Sequence, residues 1–232
     1  MCNCRDKNSA NRRESTEVLA AADKGIHLVL LGAPGAGKGT QAKHLSAKYG
    51  LAHISSGNLL RDELARGTKL ASEIKGYMDK GQLVPDSIII DLIINHVKGL
   101  DSPNWMLDGF PRTASQAKAL KAAKELYLTH IIELQVDQDA VVKRLGGRRF
   151  DPVTGNTYHV DFDPPPADIA DRVVIRDDDK EEVIRERFVI YEKNKKLIAD
   201  TFGDAVTVVN CEGLSIEEVS ARVDAVIDGR GE

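Results

Sequence analysis

A glycine-rich stretch, GAPGAGKGT from Gly32 to Thr40, follows the apolar run VLL and precedes a segment of helical periodicity. It fits the pattern G-x-x-x-x-G-K at Gly32, Gly37 and Lys38, with Gly39 at the usual Ser/Thr position and Thr40 one place later. Residues without a Cβ let backbone N–H groups turn inward around an anion, and the positive end of the following helix adds to the attraction. The stretch therefore predicts a phosphate-binding loop, in which Lys38 reaches the terminal phosphates. A tight turn alone would not explain Lys38 at this spacing.

The composition is that of an ordinary globular protein, with 232 residues, 29% of them charged and 42% hydrophobic. This length can bury a sizeable core. The formal net charge is −4, with acidic and basic residues mixed along the chain, so we expect no nucleic-acid partner and no anionic membrane surface. No apolar run approaches the roughly 18 residues of a membrane span.

The three cysteines, Cys2, Cys4 and Cys211, form neither a disulfide framework nor a paired zinc motif, which favours a reducing compartment. Residues 1–24 are polar and mixed in charge, and we expect a disordered N-terminal extension. They lack the apolar segment of a secretory signal. We expect a cytoplasmic protein; an organelle, or a pool tethered to a membrane through this extension, is the alternative.

Short β-branched runs alternate with longer helical patterns from Ile26 onward, which is typical of an α/β fold. The runs are nearly continuous in apolar residues, as in parallel strands that are buried on both faces. The predicted strands are 26–32, 52–55, 105–109, 130–136 and 205–210. The predicted helices are 38–49, 57–66, 69–80, 86–99, 113–125, 137–146, 180–200 and 215–228.

Two regions interrupt this alternation, and both follow the carboxyl ends of strands, where α/β folds bind ligands. Residues 55–84 carry extra helices and predict a small helical insertion. Residues 147–179 contain three consecutive prolines and short β-like pieces, and they predict a small β-rich flap.

Arginines and one aspartate accompany these regions. Arg148, Arg149, Arg176 and others lie at the flap and its flanks, where guanidinium groups could neutralise a transferring phosphoryl group. The alternative is that each is a surface residue paired with a nearby acid, and for Arg185 this alternative is preferred. Asp108 ends a buried strand beside the loop, where an acid could hold the water shell of Mg²⁺; a turn or helix cap is its alternative role.

The motifs GAPGAGKGTQ, ISSGNLLR, LDGFPRTASQA, GRR with TYH, and RDDDKEEVIRERF occur in one order and spacing. Together they resemble the nucleoside monophosphate kinases, and specifically the long-lid adenylate kinases, over residues 26 to about 228. The resemblance implies a P-loop NTPase-type α/β fold with a parallel five-stranded sheet of order 2-3-1-4-5 flanked by helices. It also implies one core, 25–228, with a helical insertion for the nucleoside monophosphate (55–84) and a lid (147–179) that closes over ATP.

The resemblance further implies the roles of individual residues in an Mg²⁺-dependent reaction, ATP + AMP ⇌ 2 ADP. The ATP-binding residues would be Gly35, Ala36, Gly37, Lys38, Gly39, Thr40, Arg144, Arg148 and Tyr158. The AMP-binding residues would be Ser56, Gly57, Arg61, Met78, Val84, Gly109, Arg112, Gln116, Arg176 and Arg187. The catalytic residues would be Lys38, Arg112, Arg148, Arg149, Arg176 and Arg187, while Asp108 would support magnesium through water and the acids of the lid hinge would be Asp178 and Asp179.

The chain departs from the family pattern at several places. Asn58 stands where an aspartate near the magnesium water shell is usual, and the stretch from Pro165 to Arg176 is shorter than in most long lids. Asp151 and Thr154 occupy positions where some bacterial lids have zinc-binding cysteines, so we predict no zinc. The segment around Ser56 is also similar to GTP-using members, whereas Gln41 favours the ATP users; another nucleoside monophosphate kinase is the alternative function.

Two other classes of P-loop protein are weaker hypotheses. A switch or ATPase has no need of a second pocket for a monophosphate, which the paired GNLLR and GFPR arginines indicate here. A subunit that only binds nucleotide would be expected to lose Lys38 or the lid arginines. The family implies a monomer.

Overall fold

The computed structural model describes residues 25–78, 84–175, 179 and 181–229, with only the backbone of Arg61 and Met78 described. The predicted N-terminal extension, residues 1–24, lies outside the described residues, as do Arg176 and Asp178.

Five strands form the central parallel sheet, and two more form a separate antiparallel pair. The central sheet has the order β2-β3-β1-β4-β7, and every neighbouring pair in it is parallel. Because β7 is the fifth strand of this sheet along the chain, the predicted fold and the predicted order 2-3-1-4-5 are confirmed. The strands are β1 (His27–Gly32), β2 (Ala52–Ser55), β3 (Trp105–Asp108), β4 (His130–Gln135), β5 (Arg148–Phe150), β6 (Thr157–His159) and β7 (Val206–Asn210).

Helices flank the central sheet on both faces. In the described residues they are α1 (Lys38–Tyr49), α2 (Ser56–Ala65), α3 (Lys69–Met78), α4 (Asp86–Lys98), α5 (Ala114–Ala122), α6 (Gln138–Gly146), α7 (Glu181–Phe202) and α8 (Ile216–Ile227). Between β2 and β3 the chain forms α2, α3 and α4, so α2 and α3 lie within the expected insertion. None of the helices in the described chain combines the length and apolarity needed to cross a membrane.

The sheet has an apolar layer on each face because successive side chains of a strand point in opposite directions. On β1, Leu28 and Leu30 join a core with residues of α1, α6 and α8. Val29 and Leu31 join a second core with residues of α4 and α5. All four side chains are at most 7% exposed.

Helix α7 contributes to both layers. Ile184, near its start, belongs to the core that includes α1, α6 and α8, whereas Ile198 and Phe202, near its end, belong to the other core. The helix therefore passes from one face of the sheet to the other.

The strands β5 and β6 carry the predicted β-rich flap, which we call the lid (residues 147–179). Arg149 pairs with Tyr158 across the two strands. Isolated bridges, Phe150 with Val174 and His159 with Asp163, extend this small sheet.

Candidate active site

The glycine-rich loop leaves β1 at Gly32 and enters α1 at Lys38. Gly35 and Gly37 have φ values of 79° and 98°, which side chains rarely tolerate. A Cβ on Gly35 would lie 2.8 Å from Cγ of Leu145 on α6, so this position needs glycine for space as well as for conformation. The loop is thus pressed against the protein interior, with the N-terminus of α1 at its end.

Lys38 lies with its ammonium group inside this loop. Its Nζ donates hydrogen bonds to the carbonyl oxygens of Gly32 (2.8 Å) and Ala33 (2.9 Å). Burial lowers the pKa of Lys38 to about 8; the charge of Asp108 opposes this shift, while Arg112, Arg187 and Arg148 add to it. These four side chains come from different elements, and their charges converge on Lys38.

Asp108 is the last residue of β3, and its carboxylate accepts a hydrogen bond from Nε2 of His53 (3.3 Å). Burial raises the pKa of Asp108, but the His53 hydrogen bond and the charges of Lys38, His53 and Arg112 outweigh this effect and hold it below its usual value. The side chain therefore stays ionised at neutral pH beside the phosphate-binding loop. An ionised oxygen ligand of this kind fits a hydrated Mg²⁺.

A second group of predicted residues meets after β3, and we call it the Gly109 cluster: Ser56, Gly109, Arg112 and Gln116. The carbonyl oxygen of Gly109 accepts hydrogen bonds from Oγ of Ser56 (2.9 Å) and from Nε of Arg112 (2.7 Å). Oε1 of Gln116 accepts the backbone N–H of Arg112 (2.8 Å). The cluster joins the start of the insertion, the loop after β3 and helix α5.

Not every predicted AMP-binding residue can be placed in this way. Gly57 follows Ser56 on α2, and Val84 is 7% exposed just before α4. Arg61 and Met78 lie on α2 and α3, but their side chains are not described, and Arg176 lies outside the described residues.

The base of the lid is held by an ion pair. The guanidinium of Arg148 on β5 binds the carboxylate of Asp179 through two hydrogen bonds, the one from Nε measuring 2.7 Å. The Asp179 side chain is fully buried, and that of Arg148 is 20% exposed. A predicted hinge acid therefore contacts a predicted lid arginine.

The other predicted basic residues of this region bind backbone carbonyl groups. Arg149 donates from Nη1 to the carbonyl oxygens of Gly146 (3.2 Å) and Arg148 (2.8 Å), at the junction of α6 and β5. Arg144 donates to the carbonyl oxygen of Ala36 in the glycine-rich loop (3.5 Å) and to that of Cys211 after β7 (3.2 Å). Arg144 thus lies beside the loop, whereas Arg149 contacts the hinge.

Within the lid, Asp151 is fully buried and binds Arg172 in a bidentate pair, with distances of 3.0 Å from Nε and 2.6 Å from Nη2. Thr154 also donates its hydroxyl to this carboxylate (2.8 Å). Arg172, above all, lowers the pKa of Asp151 against the opposing effect of burial. Among the described residues, no group of three or more His, Cys, Asp or Glu side chains is arranged to hold a metal ion.

Two contacts were not foreseen from the sequence. Gln41 is 2% exposed and accepts a hydrogen bond from Oγ of Ser220 on α8 (3.1 Å), so its side chain faces the C-terminal helix. Glu133, inside the apolar strand β4, binds Tyr191 and Lys195 of α7. Arg185 is a surface residue that pairs with Glu181, as expected.

Comparisons with known proteins agree with this geometry. A family model described as adenylate kinase matches residues 30–206. An adenylate kinase of Giardia intestinalis is 63% identical over 200 residues, which cover 86% of this chain and 81% of the relative. These matches confirm the resemblance and the expected enzyme class, ATP:AMP phosphotransferase. Because both matches cover most of the chain, and the fold and the charges around the glycine-rich loop agree with them, the chain belongs to the adenylate kinase family.

Proposed function

We propose that this chain catalyses ATP + AMP ⇌ 2 ADP by in-line transfer of the γ-phosphoryl group onto the AMP phosphate, through positioning and charge neutralisation alone. The attacking group is already a phosphate oxygen, so no covalent enzyme nucleophile is needed. Both reactants are polyanions that repel each other, and the work of the protein is to bring them together.

One observation carries this proposal: Arg112, Arg148 and Arg187, which come from three separate segments, each act electrostatically on Lys38 in the glycine-rich loop. Positive charge from several segments at one loop attracts polyanions. A triphosphate and a monophosphate are ligands of that kind. Charge that spreads over the transferring group would then be stabilised by guanidinium groups that are already in place.

The two nucleotides would occupy different sides of this centre. ATP would lie with its phosphates in the glycine-rich loop on Lys38, and with its base near Arg144 and the lid residue Tyr158. AMP would lie against the Gly109 cluster, where Arg112 could pair with its phosphate. The bidentate fork of arginine suits the oxygens of a phosphate group.

Asp108 would support Mg²⁺ through its water shell. When bound, the ion neutralises charge on the β- and γ-phosphate oxygens. The lowered pKa of Asp108 keeps the carboxylate ionised for this role. Lys38 supplies positive charge to the same phosphates, and its hydrogen bonds to Gly32 and Ala33 hold the ammonium group in the loop.

Closure of the lid would exclude water, which otherwise competes as phosphoryl acceptor. The Arg148–Asp179 pair suggests how closure is steadied, because a buried carboxylate at the hinge holds a lid arginine in a defined orientation. We place Arg149 and Arg176 in the same electropositive group by the family pattern alone.

We propose ATP as donor, a monomeric enzyme and a cytoplasmic location. The proposed location rests on the sequence, whose three cysteines form neither a disulfide framework nor a paired zinc motif.

The direct test measures ADP formation with ATP or GTP as donor and AMP, CMP or UMP as acceptor. We expect ATP with AMP to give the highest kcat/KM. A higher kcat/KM with GTP, or with CMP or UMP, would change the assignment to another nucleoside monophosphate kinase. Hydrolysis of ATP without any acceptor would instead indicate an ATPase.

The residue roles are tested by Lys38→Ala and Arg112→Ala, each of which should lower turnover by roughly 10²- to 10⁵-fold, the range for lost transition-state phosphate contacts. Matched controls are Lys196→Ala and Arg185→Ala, which remove exposed side chains of the same types on α7. A folded Lys38 or Arg112 variant that loses less than tenfold would remove that residue from the mechanism.

A further inference from the structure

Glu133 is a carboxylate in an unusual place. It lies in β4 between Ile132 and Leu134, and the residue is 3% exposed. It is in register with Leu31, one position before the pair of Gly32 with Leu134. The carboxylate therefore sits beside the point at which the glycine-rich loop leaves the sheet.

Within the part of the chain that the structure describes, Tyr191 and Lys195 bind this carboxylate, and both belong to α7. The hydroxyl of Tyr191 donates a hydrogen bond to Oε1 of Glu133 (2.9 Å), and Nζ of Lys195 lies 2.9 Å from the same oxygen. Tyr191 and Lys195 are one helical turn apart, so they present their polar ends to one side. Burial, together with the charge of Glu133, raises the pKa of Tyr191 and keeps the phenol as a donor. We call these three residues the Glu133 cluster.

A buried ion pair of this kind is a poor source of stability, because desolvation offsets much of the attraction and apolar residues of similar size often serve as well. Its directional contacts, however, define one position of the helix relative to the strand. This matters for α7, whose ends pack by non-directional apolar contacts in two different layers.

The position of α7 bears on the active site through Arg187. This residue lies one turn before Tyr191, and its charge acts on Lys38 in the loop. The stretch of α7 from Arg187 to Lys195 covers eight residue steps, or about 12 Å at 1.5 Å per step. A shift or rotation of α7 would move the Arg187 guanidinium relative to the loop that holds the phosphates.

We propose that the Glu133 cluster is a positioning device: it ties α7 to the strand beside the glycine-rich loop and thereby sets the place of Arg187. The inference rests on the proposed role of Arg187 at the transferring phosphoryl group. None of the three residues needs to touch a substrate.

The test is a double-mutant cycle of Tyr191→Phe and Arg187→Ala. Tyr191→Phe keeps the ring and removes only the hydroxyl. Its matched control is Tyr49→Phe, which removes a hydroxyl that donates to Asp228 (3.0 Å) between α1 and the end of α8. The measurements are kcat, KM for both nucleotides, and the midpoint of thermal unfolding.

Tyr191→Phe should lower kcat roughly five- to fiftyfold, below the about 10²-fold that 1 Å of misplacement can cost, with both KM values within about twofold. In the Arg187→Ala background the same change should lower kcat less than about twofold, because the group being positioned is gone. Lys195→Met should act like Tyr191→Phe, and Lys195→Arg should restore most of the turnover. Tyr49→Phe should leave kcat unchanged at a similar unfolding midpoint.

Two results would overturn the inference, and they can be told apart. Equal losses from Tyr191→Phe with and without Arg187 would reject positioning while leaving the role of Arg187 intact. A loss of less than tenfold in Arg187→Ala alone would reject the proposed role of Arg187, and the inference with it.

Discussion

The central sheet and the lid are held together by different kinds of contact. In the sheet, Leu28, Ile132 and Leu134 are completely buried, and two apolar layers enclose the strands. In the lid, Val153 and Phe162 are 74% and 58% exposed, while the buried groups include the carboxylates of Asp151 and Asp179.

This difference indicates what each region can do. Apolar burial is non-directional and cooperative. We therefore expect the sheet and the glycine-rich loop to unfold only when the whole core unfolds. Charge-assisted hydrogen bonds are directional and can be exchanged one for another. A region held by such contacts can exchange one partner at a time, which would suit the proposed closure over ATP.

The largest effect on stability should come from the core. Leu134→Ala should lower the free energy of unfolding by about 2–5 kcal/mol, because it removes a fully buried side chain and leaves a cavity. Val153→Ala in the lid is the matched control and should change it by less than about 0.5 kcal/mol. Urea denaturation measures both, and equal losses would show that the lid packs as the sheet does.

A local effect is expected from Asp151→Asn. The change leaves the Arg172 guanidinium without its carboxylate, so amide exchange at Phe150 and Val174 should accelerate, while exchange in β1 stays the same. Thr154→Val is the control, since it keeps the ion pair and loses only the hydroxyl bond. Exchange that is unchanged at Phe150 and Val174 would show that the pair does not hold the lid.

The same pair gives a pH dependence. The pKa of Asp151 lies below its usual value in the folded protein, so the carboxylate stabilises the lid at neutral pH. This stabilisation is present above about pH 4, the unfolded value, and is lost progressively as the pH falls. Wild-type lid exchange, corrected for intrinsic rates, should approach that of Asp151→Asn in acid.

The smallest effect is expected from Arg185→Ala. Arg185 and Glu181 form an exposed pair at i and i+4, with side chains 46% and 63% exposed. Such pairs contribute about 0.3–0.5 kcal/mol, so stability should fall by no more than this and turnover should not change. A larger loss would mean that the exposure of an ion pair does not indicate how much the pair contributes to the stability of this protein.

Much of the fold could be predicted from the sequence because it depends on local patterns. The apolar runs and the glycine-rich loop identify β1 and the start of α1 directly. Ends of elements were less accurate. The helix expected at 113–125 spans Ala114–Ala122, and it starts one residue later than expected because Thr113 acts as its N-cap and accepts the N–H of Gln116. Short lid strands were expected only as β-like pieces.

Contacts between distant residues were beyond such patterns. Glu133 lies in a run that reads as an apolar strand, and its partners Tyr191 and Lys195 come 58 and 62 residues later. A single carboxylate in a strand buried on both faces was the one available signal. The sequence identified Asp151 only as a residue at a position where some bacterial lids have a zinc-binding cysteine. Its ion pair with Arg172 could not be predicted, because the folding of the lid brings the two residues together. The assigned site roles remain predictions for the experiments above.

The Arg148–Asp179 contact has a consequence for how this architecture can vary between proteins. It brings together two residues that are 31 positions apart, so the segment of chain between them begins and ends at nearly the same place in the fold. A segment with adjacent ends can lengthen, shorten or be exchanged without altering the strands it leaves and rejoins. Natural variation in length should therefore be tolerated between these two residues far better than within the layers beneath them.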